Sequence, residues 1–451
     1  MTELTLHEQP AKSVIQLALP MMLTQLITIG SIFLCMAMLA DLGKEVLAAS
    51  ALIASISFSV LIICSSLLFS LGILISHAYG KKEYLTIGCL LQQGWLLALI
   101  VSIPALLIFW NIYPILIFFG QEESISRIVQ EFFRTYVWRV LPFLFSVCNQ
   151  QLCYGVRKQK IDMWANVLGV IVLVGSAYAL IFGVFGLPPL GVVGFAYAST
   201  LQSLCYFLVT ILCMAFIKDF EKFSLFHIRI HQDWRMLLPL FKMGWPISLQ
   251  ISGEMLSFLV CTTFIGWLGV NTLAAYQIIM QYQFLIVVPI FALSQASGIL
   301  IGQAYGSQQV TAIKKLGAAS LRIVATVCTA VGLVFIIFPR LLSSLYVNVE
   351  DPANSQIVNL VTLLFAALAL SQFADAIRNV LIGSLRGLLD TRFPMLVGLL
   401  CIWLLGLPLG YFFAFILHWG ALGIIWGGIV GMGVGAALLY YRWHVLTAKF
   451  V

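Results

Sequence analysis

The sequence predicts an all-α integral membrane protein with about twelve transmembrane helices in two six-helix lobes. Three observations lead to this fold class. Of the 451 residues, 62% are hydrophobic and only 9% are charged, whereas soluble domains carry about 25% charged residues. Apolar segments long enough to cross a bilayer as helices recur along the whole chain. Motifs of the first half return in the second half at a constant spacing, which indicates an internal duplication.

The apolar segments form two sets of six, and each reaches or exceeds the roughly 20 residues that a transmembrane helix needs. They lie at about 14–39, 47–76, 87–119, 125–151, 162–184 and 190–217, then at about 236–266, 271–303, 312–345, 356–388, 393–416 and 421–447. A long polar connection separates the two sets. We therefore predict an N-terminal lobe at 1–217, a cytoplasmic linker at 218–235 and a C-terminal lobe at 236–451.

The distribution of Lys and Arg predicts the orientation in the membrane. One set of alternate loops holds Lys81, Lys82, Arg157, Lys158, Lys160, Lys218, Lys222, Arg229, Arg235, Lys314, Lys315, Arg386 and Arg392. The opposite loops hold only Lys44, Arg127 and Arg340. Because cytoplasmic loops carry the excess of basic residues, the first set, the linker and both termini are expected in the cytoplasm.

The second lobe repeats the first. Matched positions at one constant spacing are Pro20 and Pro246, Leu47 and Leu273, and Ala78 and Ala304; at a second, slightly longer spacing they are Gly155 and Gly387, and Leu190 and Leu422. Six helices is an even number, so both lobes enter the membrane from the same side. Such parallel repeats are related by an axis along the membrane normal, an arrangement typical of alternating-access transporters.

The stretch around Glu254 contains the first candidate functional residue. Glu254 lies near the middle of an apolar helical segment, where a charged side chain costs roughly 2.5–3.5 kcal/mol on insertion scales. An acid kept at such a position indicates function, and Gln250, one turn earlier, shares its helical face. The alternative is a protonated Glu that is merely hydrogen-bonded within a helical bundle.

Two further groups of polar residues lie in the C-terminal lobe. Asp375 and Arg378 are three residues apart and share a helix face. They form either a structural ion pair or a functional one, in which the pairing of Asp375 and Glu254 changes between transport states. The third group, at 276–281, contains Tyr276, Gln277 and Gln281; these side chains either line a cavity or hydrogen-bond between helices.

The motifs of several other protein classes are missing from the sequence. We find no HExxH, no GxSxG with triad partners, and no phosphate-binding glycine loop. An enzyme is therefore not expected, and neither are a cofactor or ATP hydrolysis. The net charge of +7 follows the loop asymmetry, so no nucleic-acid partner is expected. The energy for transport is then expected from an H⁺ or Na⁺ gradient.

Four stretches make the chain resemble the multidrug and toxic compound extrusion (MATE) family, in its NorM-like and eukaryotic-type branches. They are residues 183–194, 273–277, 294–306 and 383–387, which together with the repeat span most of the chain in family order. The resemblance implies a cation-coupled antiporter that exports amphipathic, often cationic, small molecules. It also implies an integral protein of the bacterial inner membrane, and we expect a monomer.

The resemblance assigns roles to some residues and withholds them from others. Glu254 falls at the family's acid on the seventh helix and Asp375 at its acid on the tenth, so both are expected to couple the cation, with a possible Na⁺ site near them. The family's first-lobe polar positions carry Cys35, Leu173 and Ala177 here. We therefore expect coupling through the C-terminal lobe.

Two other functions stay open at this point. One is a lipid-linked saccharide flippase of the wider superfamily, which is expected to have more cationic residues in its cleft than this sequence offers. The other is a membrane-embedded enzyme or receptor, which the duplication disfavours.

Overall fold

The computed structural model describes residues 9–186, 188–226, 237–351 and 354–449. The predicted linker at 218–235 is therefore described only as far as residue 226, and its residues 227–235 lie outside the described ranges. The all-α fold class is confirmed, and the long helices follow the two predicted sets.

The long helices of the first set are α1 Pro10–Ala40, α2 Lys44–Gly80, α3 Tyr84–Trp110, α4 with its two parts Glu123–Tyr136 and Val140–Gly155, α5 Gln159–Phe182 and α6 Gly191–Phe216. Those of the second set are α7 Leu237–Trp267, α8 Val270–Gly306, α9 Val310–Ile337, α10 Ser355–Gly387, α11 Arg392–Ile416 and α12 Ala421–Ala448. In the described part of the chain, 11 helices are long and apolar enough to cross a membrane. The segment left out is α4, because it consists of two shorter helices.

Proline explains three places where an apolar segment is not one continuous α-helix. Pro142 has no N–H for the carbonyl of Trp138, and a 3₁₀ turn at Val137–Arg139 joins the two parts of α4. Pro114 lies near the start of a short helix, Ile112–Phe118, that follows α3. Pro339 begins another short helix, Pro339–Ser344, after α9 has ended.

The contacts divide the chain into two compact units. One unit is Pro20–Ser248, and the other is Leu249–Val451 together with the residues up to Leu19. The division falls inside α1 and α7, near the two prolines that mark the repeat. The lobe boundaries at 217 and 235 predicted from the sequence remain a prediction.

In the unit Pro20–Ser248, close helix contacts depend on small residues. The backbone of Gly155 on α4 packs against Ile75 on α2, where a Cβ would lie 2.6 Å from the Ile75 side chain. A Cβ on Gly194 of α6 would lie 2.7 Å from the backbone of Leu180 on α5. Such close approach is how helices associate within a bilayer, where apolar side chains gain little from leaving lipid.

The described start of the predicted linker packs on the same unit. Phe220 and Phe223 are buried, and the Lys222 ammonium lies over the rings of Tyr79, Tyr84 and Phe223 at 4.8–5.6 Å from their centroids. Residues 218–226 are thus held against the ends of α2 and α3.

The other unit is built on equivalent contacts. Gly387 on α10 packs against α8. A Cβ added to Gly387 would lie 2.4 Å from the Gly298 carbonyl oxygen and 3.1 Å from the Ile301 side chain. On α12, Gly427 faces the backbone of Gly410 on α11 at 2.2 Å from an added Cβ. Around this crossing α11 contains two π-helical stretches, Cys401–Gly406 and Phe412–Ile416.

The duplication is visible in the backbone of each unit. Lys82 after α2 and Gln308 after α8 are related by the first repeat spacing and have φ of 62° and 58°. Arg157 and Leu389 are related by the second spacing and have φ of 61° and 64°. The left-handed region is uncommon for residues other than Gly. The same turns therefore end the same helices in both units.

Candidate functional site

Glu254 is positioned by close packing of α7 on α11. Its neighbour Gly253 has no side chain, and a Cβ there would lie 2.1 Å from the Leu399 side chain. Trp403 on α11 donates a hydrogen bond from its indole Nε1 to the Gly253 carbonyl at 3.3 Å. Because Gly253 allows α11 to approach, the turn of α7 that carries Glu254 is fixed against that helix.

Arg378 on α10 joins the two acids that the sequence singled out. Its Nη1 donates to Glu254 Oε1 at 2.8 Å. Its Nε and Nη2 donate to Asp375 Oδ1 at 3.1 and 2.8 Å. The side chains of Arg378, Asp375 and Glu254 are 3%, 10% and 19% exposed. One nearly buried guanidinium therefore serves carboxylates from two helices, and we call these three residues the acid–arginine triad.

The triad continues through an amide to a second guanidinium. Gln250 Nε2 donates to Glu254 Oε1 at 3.1 Å, and Arg386 Nη2 donates to Gln250 Oε1 at 3.0 Å. Arg386 lies in the last turn of α10, half-buried. In the sequence Arg386 is grouped with the basic residues of the loops, whereas its side chain reaches back to Gln250 on α7.

The charges of this group balance. Two carboxylates and two guanidiniums are held together, with the hydrogen bonds of the triad at 2.8–3.1 Å. Hydrogen bonds between ionised partners are about twice as strong as neutral ones, and an unpaired charge in this setting costs several kcal/mol. Gain of one proton by either acid would therefore leave the group with a net positive charge and Arg378 with one ionised partner instead of two. Such a group can change its pairing when its charge changes.

The structure does not join the 276–281 polar patch to the triad. Tyr276 is buried on α8, whereas Gln277 and Gln281 are exposed. Among the described residues, no hydrogen bond links these three side chains to Glu254, Asp375 or Arg378. Groups of three or more His, Cys, Asp or Glu side chains with metal-binding geometry are also absent from the described ranges. The Na⁺ site near Glu254 and Asp375 stays a prediction.

Comparison with known proteins decides the family. The sequence model of the MatE family matches residues 20–179 and 246–412, most of the chain. The chain belongs to the MATE family. The two matched ranges begin at Pro20 and Pro246, the same pair that defines the repeat. The resemblance found in the sequence is thereby confirmed, and the chain is an integral membrane transporter.

MATE relatives match over nearly the full length. A probable multidrug resistance protein NorM of Burkholderia pseudomallei (strain K96243) is 31% identical over 434 residues, which cover 96% of this chain and 92% of the relative. The multidrug resistance protein NorM of Burkholderia vietnamiensis is 28% identical over 437 residues, 97% of this chain and 94% of that protein.

Solved MATE structures share the fold. A MATE transporter crystallised in a bent conformation superimposes with a TM-score of 0.90 at 17% identity, covering 100% of this chain and 98% of the other. The eukaryotic MATE transporter AtDTX14 gives a TM-score of 0.85 at 20% identity, covering 98% of each chain. These likenesses show the twelve-helix, two-lobe fold.

The first-lobe positions that the family resemblance singles out in the sequence are apolar and buried here. Cys35, Leu173 and Ala177 are at most 2% exposed. Neutral hydrogen bonds join the two helices that carry these positions. Asn166 on α5 donates to the Thr24 carbonyl of α1 at 3.1 Å and to Thr28 Oγ1 at 2.9 Å.

Gln372 and Asp162 are among the buried polar residues that were not singled out from the sequence. Gln372 on α10, three residues before Asp375, is 3% exposed, and its amide atoms have no hydrogen-bond partner among the described residues. Asp162 on α5 is 0% exposed. The sequence did contain a signal for Asp162. The fifth apolar segment, at about 162–184, begins with this acid.

Proposed function

We propose that this MATE transporter is a secondary active antiporter that exports amphipathic, often cationic, drugs or metabolites in exchange for H⁺ or Na⁺ by alternating access. The observation that carries the proposal is the pairing of Arg378 with Glu254 on α7 and Asp375 on α10. The names of the relatives, which are multidrug resistance proteins, support the substrate class.

Glu254 is proposed to be the group that exchanges its partner during the cycle. As an anion it accepts hydrogen bonds from Arg378 and Gln250. A proton on Glu254 removes the charge that holds Arg378 Nη1, while Nε and Nη2 of Arg378 stay on Asp375. The link between α7 and α10 is then weakened, and the two helices are free to move against each other.

A cationic substrate competes for the same charge. A carboxylate that is ionised attracts a cation, and the same carboxylate neutralised by a proton does not. Because Glu254 cannot hold a proton and a cation together, proton entry from the outside and substrate exit exclude each other at this residue. Asp375 keeps Arg378 within α10 in both states, so that the guanidinium does not follow Glu254.

Uphill export by Glu254→Gln tests this proposal. The variant has the size and neutrality of protonated Glu, so it is expected to fold, to reach the membrane and to fail in transport against a gradient. Glu254→Asp is expected to keep partial activity with a shifted pH profile. Asp41→Asn is a matched control, because Asp41 is an exposed acid in the turn after α1.

Dye efflux from energised everted vesicles, with protein levels matched, measures the effect. Wild-type uphill transport by Glu254→Gln would rule out the coupling role and leave Glu254 as a packing residue. Flux of an organic cation in proteoliposomes, with Na⁺ and pH gradients imposed separately, identifies the coupling ion.

We further propose that both termini are cytoplasmic in a bacterial inner membrane and that the transporter acts as a monomer. The orientation rests on the loop asymmetry of Lys and Arg.

A further inference from the structure

A second buried carboxylate lies in the unit Pro20–Ser248 and is not used by the proposed cycle. Asp162 is in the first turn of α5 and is 0% exposed. The Tyr206 hydroxyl on α6 donates a hydrogen bond to Asp162 Oδ1. Gln150 on α4 donates from Nε2 to Asp162 Oδ2 at 3.4 Å. Three helices thus converge on one acid.

Asp162 has no basic partner in the described part of the chain. The ion pairs found there involve other residues. Of the nearby bases in sequence, Lys158 pairs with Asp219, Lys160 is exposed and Arg157 interacts with Tyr79.

The titratable groups that act on Asp162 are uncharged in their ordinary forms. They are Cys153 and Tyr154 on α4 and Tyr206 on α6. Hydrogen bonds from Tyr206 and Gln150 stabilise the ionised carboxylate. Removing a carboxylate from water without a counter-charge is nevertheless costly. A proton removes that cost, which distinguishes Asp162 from Glu254 and Asp375 with their shared Arg378.

The surroundings also offer an acceptor for a protonated Asp162. Tyr154 is 1% exposed, and its hydroxyl has no hydrogen-bond partner of ordinary geometry among the described residues. It nevertheless lies near enough to interact with Asp162. An ionised Asp162 accepts from Tyr206 and Gln150, and the Tyr154 hydroxyl is able either to donate to that carboxylate or to accept from the O–H of the protonated acid. The site therefore has partners for both forms of the carboxyl group.

The repeated fold does not require an acid at this position. At the second repeat spacing, Asp162 corresponds to Pro394 in the first turn of α11. Proline suits the first turn of a helix, where its missing N–H has no intrahelical partner. Asp162 is thus a local departure from the duplicated pattern. At the same spacing, its neighbour Tyr154 corresponds to Arg386 of the other lobe.

We propose that Asp162 is a proton-binding site of the N-terminal lobe. Its carboxylate takes one proton from water at the predicted cytoplasmic end of α5 and becomes a neutral carboxylic acid; release of that proton restores the anion. Protonation changes the hydrogen bonds that hold α4, α5 and α6 together at this point. The part that this proton plays in transport rests on the proposed antiport function, but the binding itself does not.

Infrared difference spectroscopy of the purified transporter, between about pH 5 and about pH 8, tests the proposal directly. Acidification of the wild type is expected to increase the C=O band of protonated carboxyl groups. Asp162→Asn is expected to lose one component of that band. Tyr206→Phe and Tyr154→Phe keep the acid and are expected to shift the pH midpoint of the same component.

Two control variants separate this site from the acid–arginine triad. Glu254→Gln and Asp41→Asn are expected to retain the Asp162 component, whatever they do to transport. A spectrum of Asp162→Asn identical to that of the wild type would overturn the proposal. If Asp162→Asn does not fold, an unchanged midpoint in both tyrosine variants overturns it, and a shifted midpoint in either supports it.

Discussion

Arg378→Gln is expected to destabilise the transporter more than the loss of either acid that Arg378 holds. The reason lies in the geometry, because one guanidinium at 3% exposure is paired with two carboxylates at 2.8 Å each. Breaking a buried ion pair by removing one partner costs about 3–5 kcal/mol. Arg378→Gln leaves two carboxylates without that partner, so the cost is expected at or above this range.

The acid variants are expected to cost less. In Glu254→Gln, Arg378 keeps its two hydrogen bonds to Asp375. In Asp375→Asn, it keeps Glu254. Each variant therefore loses hydrogen bonding to a charged group, about 1.5–3 kcal/mol, without leaving an unpaired guanidinium. The triple neutral variant, with Gln, Asn and Gln at 254, 375 and 378, is expected nearer to the wild type than Arg378→Gln, because it leaves neither carboxylate ionised without its guanidinium.

Apparent melting temperatures of the detergent-purified variants give the order. The expected sequence from lowest to highest is Arg378→Gln, then the single acid variants, then the wild type, with the triple variant above Arg378→Gln. An Arg378→Gln protein as stable as Asp375→Asn would refute the shared-partner reasoning.

Transport by the double variant of Asp375→Asn with Arg378→Gln then separates two roles of Asp375. Restored efflux indicates that Asp375 only balances Arg378, and abolished efflux indicates that Asp375 or Arg378 itself takes part in coupling.

Three further predictions concern other parts of the chain. Cys35→Ala and Asp41→Asn are expected to leave gradient-driven efflux nearly intact, and loss of efflux by Asp41→Asn at normal expression would place coupling in the first lobe. Gly298→Val is expected to abolish the yield of folded protein, because a Cβ there lies 2.6 Å from a backbone carbonyl of α10. Gly428→Ala is expected to be tolerated, because an added Cβ has nothing within 4 Å. Equal yields of the two variants in size-exclusion chromatography would contradict this. Cysteines placed at Asp41 and at Lys222 are expected to be labelled from opposite sides of the membrane, and labelling from one side would end the topology.

The fold was predictable because its two strongest signals are one-dimensional. Apolar segments of spanning length and a repeat of constant spacing can both be measured along the chain, and bilayer thickness makes segment length meaningful. The breaks within segments were not predicted. Pro142 lies inside the fourth apolar segment, yet whether a membrane helix bends or divides at a proline depends on which groups satisfy the freed carbonyl.

The site was predictable only in part, for a related reason. The pairing of Asp375 with Arg378 follows from their spacing of three residues. The bond from Arg378 to Glu254 spans 124 positions of sequence and depends on how α7 and α10 pack. Arg386 looks like a loop charge in sequence because its helix ends one residue later, but its long side chain reaches Gln250.

The duplication offers a physical account of why the two lobes differ in charge. At the repeat spacings, Gln250 and Glu254 correspond to Thr24 and Thr28, and Gly398 corresponds to Asn166. In the first lobe, Asn166 reaches Thr24 and Thr28 and closes this face of the helix with neutral hydrogen bonds.

In the second lobe, Gly398 has no side chain, and an added Cβ would lie 3.2 Å from the amide of Gln250. The room that Asn166 fills in one lobe therefore holds the larger Gln250 in the other, and Gln250 in turn hydrogen-bonds Glu254. An acid at the Thr28 position would meet Asn166 and no guanidinium, because the counterpart of Arg378 in the first lobe is Ser146. The same scaffold thus stabilises a charged helix face in the lobe that supplies the arginine, and a neutral face in the lobe that does not.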